Sequence, residues 1–126
     1  MPGYAAGKAF LLQYNKQHRL WSAETVAAGS ASQAVQLRRI EGRSYPWGCA
    51  IEVQFSAIPG AFACDVQAAE VDRDASYVKV GGIIAVNAGF TGRIDLTSAT
   101  PFYGKFLRLF MTTLTNAVTT TAVVTR

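Results

Sequence analysis

The strongest constraint on this chain is the period-two alternation of apolar and polar residues along several short runs. In Ile51-Glu52-Val53-Gln54-Phe55-Ser56 the two kinds alternate without a break. In the next run Phe62, Cys64, Val66 and Ala68 share one face, while Asp65 and Gln67 take the other. Successive strand side chains point to opposite faces, so this period describes half-buried β-strands and not amphipathic helices. Pro59-Gly60 lies between the two runs, a pair that presets one backbone dihedral and permits a positive one beside it. Two such runs with a turn between them read as an antiparallel hairpin.

The same signals recur along the rest of the chain. Asp72-Arg73-Asp74-Ala75-Ser76 is a charged loop, and Tyr77 to Ile84 is β-branched and aromatic but interrupted by Gly81-Gly82. Paired glycines inside a strand suggest a bulge or a close backbone approach. Asn87-Ala88-Gly89 is a turn before a strand from Phe90 to Leu96. Lys105 to Thr113 puts Leu107, Leu109 and Met111 on one side and Phe106, Arg108 and Phe110 on the other. Such a strand is covered on both faces or ends at an interface. Thr115-Asn116 then turns the chain into Thr119–Thr125, and Phe10–Tyr14, Leu20–Ala27 and Val35–Arg39 are further strand candidates. About eight short strands with turns between them describe an all-β, two-sheet antiparallel sandwich of jelly-roll type.

At 126 residues the chain fits a single domain, here residues 20–126. Residues 1–19 are expected to form an extended N-terminal arm or a first strand. Gly3 and Gly7 suit an arm, whereas Tyr4, Phe10, Leu12 and Tyr14 are too apolar for a free tail. A segment of this kind gains order by laying apolar groups on a neighbouring subunit.

Charge narrows the partners. Only 16% of residues are charged, against about 25% in an average domain, and a charge-poor surface is what a subunit has when much of it faces other subunits. The net charge of +4 arises within residues 1–43, where six cations meet two acids. Arg38-Arg39 is the one adjacent basic pair, and neighbours in a strand face opposite ways. An acidic protein partner therefore fits better than nucleic acid. Cys49 and Cys64 sit in or beside apolar runs and are expected as buried free thiols. No apolar stretch of signal length opens the sequence and no Asn-x-Ser/Thr site occurs, which points to synthesis in a cytoplasm.

No residues announce catalysis. His18, the single histidine, sits in a polar stretch and is expected in an exposed loop, with no nucleophile marked beside it. Zinc would need His18, Cys49, Cys64 and a fourth ligand without any recognisable spacing. Asp72-x-Asp74-x-Ser76 resembles the start of a calcium loop, but Tyr77 stands where a glycine is required and Ile83 where a bidentate Glu is required. Gly81-Gly82 lacks the frame of a phosphate cradle, and no pair of carboxylates is singled out for glycoside hydrolysis. No cofactor or metal is therefore expected. Tyr45-Pro46-Trp47-Gly48 is the most suggestive cluster: it can cap the core, anchor a protein interface, or join Trp21 in a sugar-stacking platform.

A resemblance emerges from residues 50–126. The run from Ala50 to Phe62, the stretch Asp65–Val80 and the ending from Lys105 to Arg126 resemble small structural proteins of tailed bacteriophages. In those proteins an aromatic-x-Arg strand, here Phe106-Leu107-Arg108, is followed by a polar turn and a Thr/Val-rich strand. Within that group the chain is most similar to the head decoration, or cement, proteins. The resemblance implies a non-enzymatic jelly roll on the outer capsid surface that bridges major capsid proteins and stabilises the head, while low charge and the apolar strand around Phe106–Met111 add the expectation of a homo-oligomer. The interface candidates, taken from the residues themselves, are Tyr4, Phe10, Leu12, Tyr14, Arg38, Arg39, Tyr45, Trp47, Phe106 and Phe110. A carbohydrate-binding sandwich and a phage tail or connector protein are the alternatives.

Overall fold

The computed structural model describes residues 3–12, 16–37, 49–96 and 105–126. Ten strands occur among them: β1 (Phe10–Leu12), β2 (Gln17–Thr25), β3 (Ser30–Ala31), β4 (Val35–Leu37), β5 (Cys49–Phe55), β6 (Phe62–Ala69), β7 (Val78–Ile83), β8 (Thr91–Leu96), β9 (Phe106–Leu114) and β10 (Thr119–Thr125). The single helical turn among the described residues is a 3-10 turn at Asp74–Ser76.

The strands form two sheets. One runs β1-β4-β9-β6-β7, with β3 also paired to β9, and the other runs β2-β10-β5-β8. Apart from the short parallel pair β1–β4, every ladder is antiparallel. Most connections carry the chain from one sheet to the other, so that the last strand lies between β2 and β5. This strand order is that of a jelly roll, so the expected all-β sandwich is present.

Alternation explains which faces meet. Ile51, Val53 and Phe55 of β5, Cys64, Val66 and Ala68 of β6, Leu107, Leu109 and Met111 of β9, and Ala122 and Val124 of β10 all point into one buried core. Each fully buried aliphatic or aromatic side chain of this kind contributes roughly 1.5–3 kcal/mol. Leu20 and Trp21 are neighbours and both buried, which strict alternation forbids. A register shift beside Trp21, with Ala23 at a φ of 50°, turns both inward.

The hairpin expected from residues 51–68 does not form. β5 pairs with β10 and β8, while β6 pairs with β9 and β7 in the opposite sheet. Residues 56–61 form an arch between sheets, with Gly60 at a φ of 72°, and the rings of Phe55 and Phe62 meet edge-on across the core at 5.0 Å. Alternation states which face of a strand is buried. It does not state which strand lies alongside, and two in-phase runs bury their apolar faces as well by facing each other as by pairing. The consecutive strands that do pair are β6 and β7.

Close approach accounts for the glycines of β7 and β8. A Cβ on Gly92 would lie 2.5 Å from Ile83 Cγ2 and 2.8 Å from the backbone oxygen of Ala85. One on Gly81 would lie 2.8 Å from Ile94 Cδ1. A register shift opposite Gly81, between Val66 and Gln67, supplies the bulge that the paired glycines suggested.

Candidate interaction surfaces

Arg108 is the polar residue that the fold treats most unusually. The third residue of β9, it points to the outer face of its sheet and yet is only 3% exposed. Its guanidinium lies against two aromatic rings that stand nearly at right angles to each other, 4.4 Å from the centre of Tyr4 and 4.1 Å from that of Tyr77. Nε donates to Gln67 Oε1 at 2.8 Å and Nη1 to Asp74 Oδ1 at 2.8 Å. Flat, weakly hydrated guanidinium suits such stacking better than an ammonium group.

The two tyrosines converge on one acid. Tyr4 and Tyr77 donate their hydroxyls to Asp72 Oδ1 at 2.9 and 2.7 Å, and the backbone N–H of Gly7 donates to Oδ2 at 2.9 Å. Their rings meet edge-on at 5.7 Å. Burial, then the bond to Asp72, pushes Tyr4 up to about 12, and the same causes raise Tyr77 still further. The amide of Gln33 holds Ala5 by two reciprocal bonds of 3.1 Å. The N-terminal segment thus covers a small second core of Ala34, Ala69, Tyr77, Ala9 and Phe106.

These contacts revise several expectations. Tyr4 and its neighbours lie on the chain's own sheet instead of extending away from it, because Asp72, Gln33 and Arg108 offer partners within the domain. Leu12 is fully buried in the main core, so it is withdrawn as an interface candidate. The Asp72–Ser76 stretch is the charged loop that the sequence suggested, with no buried residue, and it also anchors both tyrosines and Arg108. Phe106 is partly buried beneath the N-terminal segment, and Phe110 is partly buried opposite Ala31 and Asp65. Of the apolar candidates Phe10 remains open, at 51% exposure. Tyr14, Arg38, Arg39, Tyr45 and Trp47 lie outside the described residues.

The other chemistry-bearing side chains also take structural places. His18 is in β2 and not in a loop, with its ring stacked on Phe10 at 4.1 Å and nearly parallel, and burial lowers its pKa. Cys49 and Cys64 are buried free thiols, pushed up to about 11 and about 12 by burial. Trp21 is core and cannot belong to a sugar platform. Among the described residues no His, Cys, Asp and Glu group could hold a metal ion.

On the outer face of the β2-β10-β5-β8 sheet, exposed Arg93 bonds Glu52 and Asp95 at 3.0 and 2.9 Å. The terminal Arg126 is 7% exposed, and its Nη1 donates to Leu12 O at 3.4 Å. Neither the burial of Arg126 nor the two rings packed on Arg108 was legible in the sequence. Only the odd position of an Arg between Phe106 and Phe110 hinted at the second.

No family model, no curated protein and no solved structure matches the chain.

Proposed function

We propose that this protein is a non-enzymatic structural component of a tailed-phage virion, a capsid decoration protein that binds and bridges major capsid proteins on the outer head surface. The observation that carries this reading is where the reactive side chains sit. The histidine is stacked on Phe10, both thiols are buried, and Asp72 and Asp74 are engaged by Tyr4, Tyr77, Gly7 and Arg108. Groups placed this way hold a fold together and leave its surface for binding. The stretch that resembles decoration proteins, residues 50–126, also builds β5 to β10 and so most of both sheets. A net charge of +4 favours an acidic partner.

The test is co-sedimentation of the purified chain with shells of the major capsid protein encoded in the same genome, across a salt series. Saturable binding that weakens as salt rises is the expected result, because exposed charge pairs are screened. Absence from shells together with antibody labelling of tails or connectors would replace the head assignment with the tail reading. Retention on a glycan array would favour the carbohydrate alternative, which has lost Trp21 from its platform.

A further inference from the structure

Four connections gather at one end of the sandwich: residues 26–29, 56–61, 84–90 and 115–118. The ladders put them there, since Thr119 pairs with Thr25, Thr120 with Phe55, Gln54 with Thr91, and Leu114 with Phe62. Hydrogen bonds tie neighbouring loops together. Asn116 donates from N to Pro59 O at 3.1 Å and from Nδ2 to Ile58 O at 2.9 Å, and Phe55 N donates to Phe90 O at 2.9 Å.

None of these four loops contains an Asp, Glu, Lys or Arg, although the chain has 12 basic and 8 acidic residues. Ile58 is 63% exposed and Ile84 74% exposed, and Ala27, Ala57, Ala85 and Ala117 beside them are also exposed. Among the described residues, the first charges met along the strands from this end are Glu24 in β2 and Arg93 in β8, the latter already paired with Glu52 and Asp95. The opposite end carries charges of both signs, Lys16, Asp72, Lys105 and Arg126 among them.

Depletion of charge, more than apolarity alone, marks the centre of a protein interface. An acidic partner would find no counter-charge at this end. A second copy of a chain with net charge +4 has the opposite need, which is a place to approach without like charges meeting. Seven-residue strands such as β5 and β10 hold the two ends roughly 20 Å apart. That is more than twice the screening length of about 8 Å at physiological salt. We propose that copies of this chain associate through this charge-free end, with Ile58 and Ile84 removed from water at the contact. The apolar strand β9, which suggested an interface in the sequence, is not needed for it, since Leu107, Leu109 and Met111 lie in the core.

Equilibrium sedimentation of the full chain, without capsid, tests this from about 0.05 to about 1 M salt. Wild type is expected to associate, and the association to persist or strengthen as salt rises. Ile58→Asp and Ile84→Asp, at exposed positions, should each weaken association about a hundredfold or more with unchanged melting, because like charges would then face each other. Lys16→Glu, at the opposite end, should leave it intact. A wild type that stays monomeric at every concentration, Asp variants that associate normally, or an association dissolved by salt would each overturn the proposal. Because no shell is present, this outcome is independent of whether the chain binds capsids.

Discussion

Replacing Tyr4 with alanine removes the anchor of the N-terminal segment, and the structure sets the size of the effect. The hydroxyl bond to the Asp72 carboxylate, in a half-buried place, contributes about 1 kcal/mol. The edge-on contact with Tyr77 adds roughly 0.5–1.5 kcal/mol and the ring over Arg108 roughly 0.5–1 kcal/mol. The total has a ceiling, because the loss cannot exceed the free energy with which residues 3–9 dock on the sheet. An overall cost of about 2 kcal/mol follows, or a fall in Tm of roughly 5–10 °C for a chain of this size. Far-UV circular dichroism melts give the number, and hydrogen exchange at the Gly7 and Phe10 amides should quicken while exchange in β5 and β9 stays slow. Tyr4→Phe should cost less, since the rings still meet. A Tyr4→Ala loss below about 0.5 kcal/mol would show that the segment is not anchored here. Complete unfolding would show that it belongs to the core.

The same site sets an alkaline limit. Tyrosine in the unfolded chain titrates near 10, and Tyr4 in the fold is pushed up to about 12. The folded value is the higher one, so this contribution is complete below about pH 10 and is lost as pH rises toward about 12. Tyr4→Phe should make the alkaline loss of stability shallower.

Three further outcomes are expected. Neither cysteine should react with a thiol reagent at pH 8 in the native protein, since burial holds their values at about 11 and about 12, and both should react on unfolding; fast native labelling would contradict their burial. Gly92→Ala should destabilise by roughly 1–3 kcal/mol, because its Cβ meets a backbone oxygen that cannot swing away. Gly81→Ala, which meets only the tip of Ile94, should cost less in the same urea titrations. His18 has a folded pKa below its unfolded value of about 6.5, so its contribution is present above that pH and lost as pH falls through the lowered value. Nuclear magnetic resonance titration should give a midpoint below 6.5, and His18→Phe should remove this acid dependence while keeping the stack on Phe10.

The residue pattern carried the strand content and the inward face of β5, β6 and β10, but not that of β2, where Leu20 and Trp21 are both buried. Ile51, Val53 and Phe55, like Cys64, Val66 and Ala68, are buried as their alternation requires. The burial of both thiols and the tight approach at Gly81 were also legible, because each follows from residues a few positions apart. The tertiary structure alone decided which strands are neighbours. It sent β5 and β6 to opposite sheets, brought Tyr4 onto Asp72 across 68 positions, stacked His18 on Phe10, and closed two rings over Arg108. It also gathered four uncharged loops, scattered from residue 26 to residue 118, at one end. The physical reason is that a two-residue period records only a strand's own two faces. Pairing and covering depend on the free energy of packing surfaces that are distant in the chain, and many pairings satisfy the same pattern equally well.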